Sequence, residues 1–300
     1  MNTSTATKLL LIVVSLAVLQ GCSGDSSSSD TDVPNLAPII EYQRVMYPQV
    51  TVPVSYADVT SLTFELPNEK YFYGDNSLQF VEHWRPSSVN AQENLPVIVF
   101  IHGGCWSRGF LIEQSYPLST ALAENGFPVW SIEYRATGDL GGGWPGTYQD
   151  IEAAITLIDD KRKELFSQRK LIVLGHSAGG HLALLASSNL SLNFDVVGLA
   201  AIVDIIDYAN GNSGCNSAAV SFMNGTPASI PNQYALANPK LASLTGTAHL
   251  FVGGRDTIVP RSQALNSSLP NTVFGPAGHF DWIHPGTDAF SSLLEYLLTN

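Results

Sequence analysis

Leu171-Ile172-Val173-Leu174-Gly175-His176-Ser177-Ala178-Gly179-Gly180-His181-Leu182-Ala183-Leu184-Leu185 is the stretch on which the fold turns. An unbroken apolar run of strand type enters Gly175, and apolar residues at helical spacing (Leu182, Leu185, Ala186) follow Gly180, so the pattern predicts strand, sharp turn and helix in succession. Ser177 sits at the turn. Glycines at 175 and 179 leave room where a side chain would strike the neighbouring strand or helix. A helix that starts just after Ser177 aims free backbone N–H groups, and the positive end of its dipole, at any negative charge developing there.

Short apolar runs without alternation recur on both sides of this stretch: Val97 to Ile101, Val129 to Ile132, Val196 to Val203 and His249 to Val252. Such runs are expected of strands covered on both faces. Helical patterns separate them. The clearest runs from about Thr147 to Phe166, with Ile151, Ala154, Ile155, Ile158 and Leu165 on one face, and a last one covers Thr287 to Leu298. Alternating strands and helices predict an α/β fold with a mostly parallel central sheet flanked by helices, and ligands then bind at the carboxyl ends of the strands. Ahead of it, Ser61 to Leu66 and Leu78 to Trp84 alternate apolar and polar residues and predict an antiparallel pair. From Asp204 to Leu241 the periodicity lapses into Gly-, Asn-, Ser- and Pro-rich sequence, which predicts a small cap inserted after the sixth strand.

The chain has 300 residues, a formal charge of −12 and only 13% charged residues, and its largest basic cluster is Lys161-Arg162-Lys163 on the polar side of a predicted helix. Nucleic acid is therefore not an expected partner. At the N-terminus, Lys8 precedes an apolar run from Leu9 to Leu19 that is too short to span a bilayer and reads as an export signal. Leu19-Gln20-Gly21-Cys22 resembles a bacterial lipobox. That resemblance implies a signal over 1–21, a membrane anchor on lipidated Cys22 and, with Ser23 next, an outer-membrane address in the cell envelope; the alternative is an ordinary cleaved signal with a chance cysteine, which leaves the protein periplasmic or secreted. Residues 22–37 then form a Ser/Asp-rich tether, and 38–300 the folded domain, entered by an arm whose prolines, Pro38, Pro48 and Pro53 among them, disfavour helix and central strand. In an oxidising compartment Cys105 and Cys215 either pair or stand apart as two buried small hydrophobes.

A serine hydroxyl needs a base to take its proton. His279 lies in a Gly-rich loop after the last short strand and is the first candidate, with His284 its nearest rival. The base in turn needs an acid. Asp256 follows the run His249 to Val252 and a Gly253-Gly254 turn; it reads either as that acid or as a helix cap, and Asp204 at the end of the preceding strand is the rival. His102-Gly103-Gly104-Cys105-Trp106 follows another strand, where Gly103 and Gly104, with Ala178 at the elbow, offer N–H donors for an oxyanion. Trp106, Trp144 and Phe280 read as pocket wall or as ordinary aromatic packing. His176 and His181 are five apart and share no helical face, and no phosphate-binding glycine pattern is followed by Lys, so neither metal nor cofactor is expected.

Taken together, His102-Gly103-Gly104-Cys105-Trp106, Glu133-Tyr134-Arg135, Gly175-His176-Ser177-Ala178-Gly179-Gly180, Gly254-Arg255-Asp256-Thr257 and Gly278-His279 resemble the α/β-hydrolase superfamily. Within it they are similar to bacterial carboxylesterases and to kynurenine formamidase-like and polysaccharide-deacetylating esterases. The chain order Ser177, Asp256, His279 is the order of that fold's triad. The resemblance implies acyl transfer to water through an acyl-serine, a structural role for His102, and a His176 that packs beside the elbow without chemistry. Cys105 stands where many relatives carry a third glycine, a small departure if backbone N–H groups do the work. Three functions follow: a hydrolase of short-chain, acetylated or feruloylated small-molecule esters; an amide hydrolase of arylformamidase or peptidase type; and a binding protein with a vestigial site.

Overall fold

The computed structural model describes residues 45–87, 90, 92–166 and 169–300; the predicted signal, Cys22, the tether and the start of the arm lie outside them. Eight strands form one sheet: β1 (Glu69–Phe72), β2 (Phe80–Trp84), β3 (Val97–Ile101), β4 (Val129–Ile132), β5 (Leu171–His176), β6 (Asp195–Leu199), β7 (Ala248–Gly253) and β8 (Asn271–Phe274). Their order is β1-β2-β4-β3-β5-β6-β7-β8. β1 and β2 pair antiparallel, β2 meets β4 antiparallel, and every later pairing is parallel. This is the α/β-hydrolase fold, with the helices α1 (Tyr56–Thr60), α2 (Tyr116–Glu124), α3 (Gly146–Phe166), α4 (Ala178–Asn189), α5 (Ile205–Ala209), α6 (Gly214–Met223), α7 (Pro231–Ala237), α8 (Ser262–Leu265) and α9 (Asp288–Thr299) around it.

The central runs lack alternation because both faces of the sheet are covered. Val97, Val99 and Ile101 of β3 enter the core that includes Ile151, Ile155 and Ile158 of α3, while Ile98 and Phe100 enter the core on the other face with Leu118 and Leu122 of α2 and Leu293 and Leu297 of α9. Burying each such side chain contributes about 1.5–3 kcal/mol. α5, α6 and α7 occupy the insertion between β6 and β7.

Three local expectations are corrected. Ser61 to Leu66 is not a strand: Ser61 caps α1, Glu65 N–H donates to Thr120 Oγ1, Glu65 O accepts from Trp84 Nε1, and Leu66 is 71% exposed, so the alternating residues face no sheet. The antiparallel partner of β2 is instead β1, beyond Pro67. The predicted run to Val203 stops at Leu199, because Ala200 takes φ +47° and turns the chain out of the sheet. Leu165 is 49% exposed near the end of α3, where the helix has passed the edge of its apolar stripe.

Candidate active site

The strand order reverses between β4-β3 and β5, and at such a switch point the carboxyl ends of two adjacent strands leave a crevice. Gly103 follows β3 and Ser177 follows β5. Ser177 has φ +56° and ψ −119°, a strained conformation for a side-chain-bearing residue. Packing holds it there: its N–H donates to Leu199 O at 2.9 Å, and its carbonyl accepts from Gly180 at 3.0 Å. The glycines are sterically required. A Cβ at Gly175 would lie 2.3 Å from Gly179 O, and one at Gly179 would lie 2.2 Å from Ile101 O. Among the described residues the Ser177 hydroxyl has no hydrogen-bond partner, and Ser177 and His279 line the same cavity of about 270 Å³.

His279 Nδ1 lies 2.8 Å from Asp256 Oδ2, with both side chains buried. Asp256 Oδ1 accepts from the N–H groups of Ile258 and Val259 at 2.8 and 2.9 Å, so one oxygen organises the turn and the other meets the imidazole. The helix-cap reading of Asp256 is corrected: no helix starts there, and the next one, α8, begins at Ser262 behind Arg261, so the carboxylate closes a turn while facing His279. Asp204 instead caps α5 through Ile206 and Asp207, and His284 accepts from Gly286 N–H. His176 donates through Nε2 to His279 O at 3.0 Å, and burial, with His279 and His102 nearby, holds its pKa far below the usual histidine range. It is therefore a neutral tie between the elbow and the His279 loop, a contact between residues 103 positions apart that no local sequence pattern signals.

The loop after β3 presses on the elbow: a Cβ at Gly103 would lie 3.0 Å from Ser177 Cβ. Gly104 has φ +119°, and among the described residues the N–H groups of Gly104 and Ala178 donate to no protein acceptor. Behind the loop is a second buried histidine–carboxylate pair. His102 Nε2 lies 3.2 Å from Glu133 Oε1, its Nδ1 lies 2.8 Å from Gly103 O, and Glu133 Oε2 accepts from Ile112 N–H at 2.8 Å. Cys105 is bonded to Cys215, which ties this loop to α6 of the insertion, and both cysteines reach the cavity wall.

Of the three aromatics expected at the pocket, only Phe280 lines it. Trp106 is fully buried, stacked on Phe222 at 5.1 Å and edge-on to His181, because positive φ at Cys105 and Trp106 turns the chain inward. Trp144 stacks on Tyr148 and donates to Gln233 Oε1 at 2.9 Å, joining α3 to α7. Tyr56, Phe110 and Ile258 complete the apolar wall. Nothing in their sequence neighbourhood signals this; only the Ser55-to-Asp58 capping box could have marked the short helix that carries Tyr56.

Fold and elbow together define an α/β-hydrolase. More narrowly, residues 86–269 match the BD-FAE family model, and the chain belongs to that family of α/β-hydrolase esterases. Esterase LipC of Mycobacterium tuberculosis is 33% identical over 118 residues, 39% of this chain and 28% of that protein. The same organism's probable carboxylic ester hydrolase LipM is 32% identical over 105 residues, 35% of this chain and 24% of that protein. The chain thus spans less than a third of the length of these curated relatives. In the crystal structure of esterase B from Lactobacillus rhamnosis the fold recurs with TM-score 0.60 and 20% identity, covering 79% of this chain and 87% of that one.

Proposed function

We propose that this chain hydrolyses carboxylic esters of small molecules through an acyl-serine formed on Ser177. The observation that carries the reading is the Asp256–His279 pair at 2.8 Å beside the cavity that Ser177 also lines. In this mechanism Ser177 Oγ attacks the ester carbonyl while His279 Nε2, the ring nitrogen not engaged by Asp256, takes the hydroxyl proton. The N–H groups of Gly104 and Ala178, with Gly103 alongside, hold the tetrahedral oxyanion. His279 returns the proton to the departing alkoxide, and water then attacks the acyl-serine by the same route to free the acid. A neutral His176 adds no positive charge that would oppose the imidazolium.

Hydrolysis of p-nitrophenyl acetate and labelling by a fluorophosphonate test the reading. The wild type is expected to do both, and Ser177→Ala neither, with a loss of about 10⁴-fold or more in kcat. Hydrolysis that survives the substitution would remove Ser177 from the mechanism. Leu19-Gln20-Gly21-Cys22 supports a location on the bacterial envelope through a lipid on Cys22. Cys22→Ala is then expected to move the protein from the membrane to the soluble fraction, and unchanged partitioning would refute the anchor.

A further inference from the structure

The arm ahead of the sheet is fastened to the loop that carries His279. Val50 N–H donates to Gly286 O at 2.9 Å, and Gln49 Nε2 donates to Asp288 Oδ1 at 2.9 Å. One oxygen of the fully buried Asp281 carboxylate, Oδ2, accepts from Val54 N–H at 3.2 Å and from Gly278 N–H at 3.0 Å, so it joins arm and loop directly. The fit is close: a Cβ at Gly278 would lie 2.7 Å from Pro53 Cβ.

This fastening delivers α1 to the cavity. Ser55 Oγ accepts from Asp58 N–H while Asp58 Oδ2 accepts from Ser55 N–H at 2.7 Å, and Val59 is fully buried, so the short helix is fixed at its start and on its inner face. Tyr56, its first residue, sets its ring edge-on to Phe110 at 5.6 Å and against Phe280 at 5.6 Å. These three rings come from the arm, the segment after the Gly103-Gly104 turn and the His279 loop, and all line the cavity with Ser177. Tyr56 is the ring common to both contacts, and it is half-buried, so truncating it opens the cavity outward to solvent. Among the described residues its hydroxyl has no hydrogen-bond partner, which leaves the ring as the functional part.

We propose that Tyr56 is a specificity-determining residue, whose ring bars long substituents of the ester and confines the site to short ones. The proposal rests on the serine-hydrolase reading above. A gap the size of a ring changes discrimination between chain lengths by about tenfold or more. The test measures kcat/KM of the purified full-length protein for p-nitrophenyl acetate, butyrate and octanoate, and the labelling rates of a short-chain and a long-chain alkyl fluorophosphonate. Tyr56→Ala is expected to raise the octanoate-to-acetate ratio, and the long-to-short labelling ratio, about tenfold, while Tyr56→Phe keeps both within about twofold of wild type. Unmoved ratios in a Tyr56→Ala protein that still labels would overturn the proposal. So would a Tyr56→Phe change as large as that of Tyr56→Ala, because the hydroxyl would then be the determinant. A wild type that no fluorophosphonate labels would instead sink the serine-hydrolase reading itself, so the two failures are distinct.

Discussion

Two buried histidine–carboxylate pairs stand near Ser177, and they differ in what remains free. In His279–Asp256 the carboxylate takes Nδ1, and the histidine still lines the cavity. In His102–Glu133 both ring nitrogens are engaged, one by the carboxylate and one by Gly103 O, while Tyr134 stacks on the ring at 4.4 Å. A proton shuttle needs an open nitrogen. The first pair can therefore take part in proton transfer, and the second can only hold the Gly103-Gly104 loop in place, which in the proposed mechanism presents its N–H groups to the oxyanion.

The largest effect is expected from the first pair. Asp256→Asn keeps the shape but presents a neutral amide to His279 Nδ1, so the tautomer that leaves Nε2 as acceptor is no longer favoured. A loss of about 10³–10⁴-fold in kcat is expected, with KM little changed. A loss under tenfold in steady-state ester hydrolysis would show that the imidazole does not depend on this acid. Glu133→Gln should act differently. The substituted amide still offers one oxygen to Ile112, Tyr134 or His102, but the charge that serves all three is gone. The expected result is about 10–10²-fold in kcat/KM, together with about 1–3 kcal/mol of stability in urea unfolding. Equal losses from both variants would erase the distinction between the pairs.

What was legible in the sequence follows the same division between local and distant. Ser177, Asp256, His279 and the Gly103-Gly104 turn each sit within a few residues of a strand end, so strand patterns and flanking glycines point to them. Glu133 stands one residue past β4 in a quoted motif, yet its two-sided role needs Ile112 and His102, which only folding brings to it. Tyr56 lies still further out of reach, because its place depends on an arm clasped by Asp281 more than two hundred residues later. Trp106 misled for a different reason. Its loop follows a strand end, as the pattern predicts, but a side chain's direction depends on the backbone angle, and positive φ sends the indole into the core. Leu62, Phe64 and Leu66 alternate as a strand would, but alternation does not say whether a sheet edge is within reach.

The smallest effect concerns histidines kept out of the chemistry, and it is read in stability. Burial lowers His83 to about 4 despite its contact with Glu69 at 2.9 Å, and lowers His181, whose Nε2 meets Ala237 O at 2.8 Å, to about 4. Between about pH 6.5 and 4 the unfolded chain takes up protons on these residues that the folded chain refuses. The unfolding free energy therefore falls as the pH drops through that window, by up to about 1.4 kcal/mol per pH unit for each histidine. Asp281, whose carboxyl burial raises, works in the opposite direction, since its folded form holds a proton more readily than the unfolded one. Urea unfolding at pH 7, 5.5 and 4.5 measures the slope, and His181→Gln should flatten it whatever the variant costs at pH 7. A slope that the substitution leaves unchanged would mean that His181 is protonated as readily in the fold as in the unfolded chain. It would then belong with the histidines able to carry charge rather than with the neutral packing of the core.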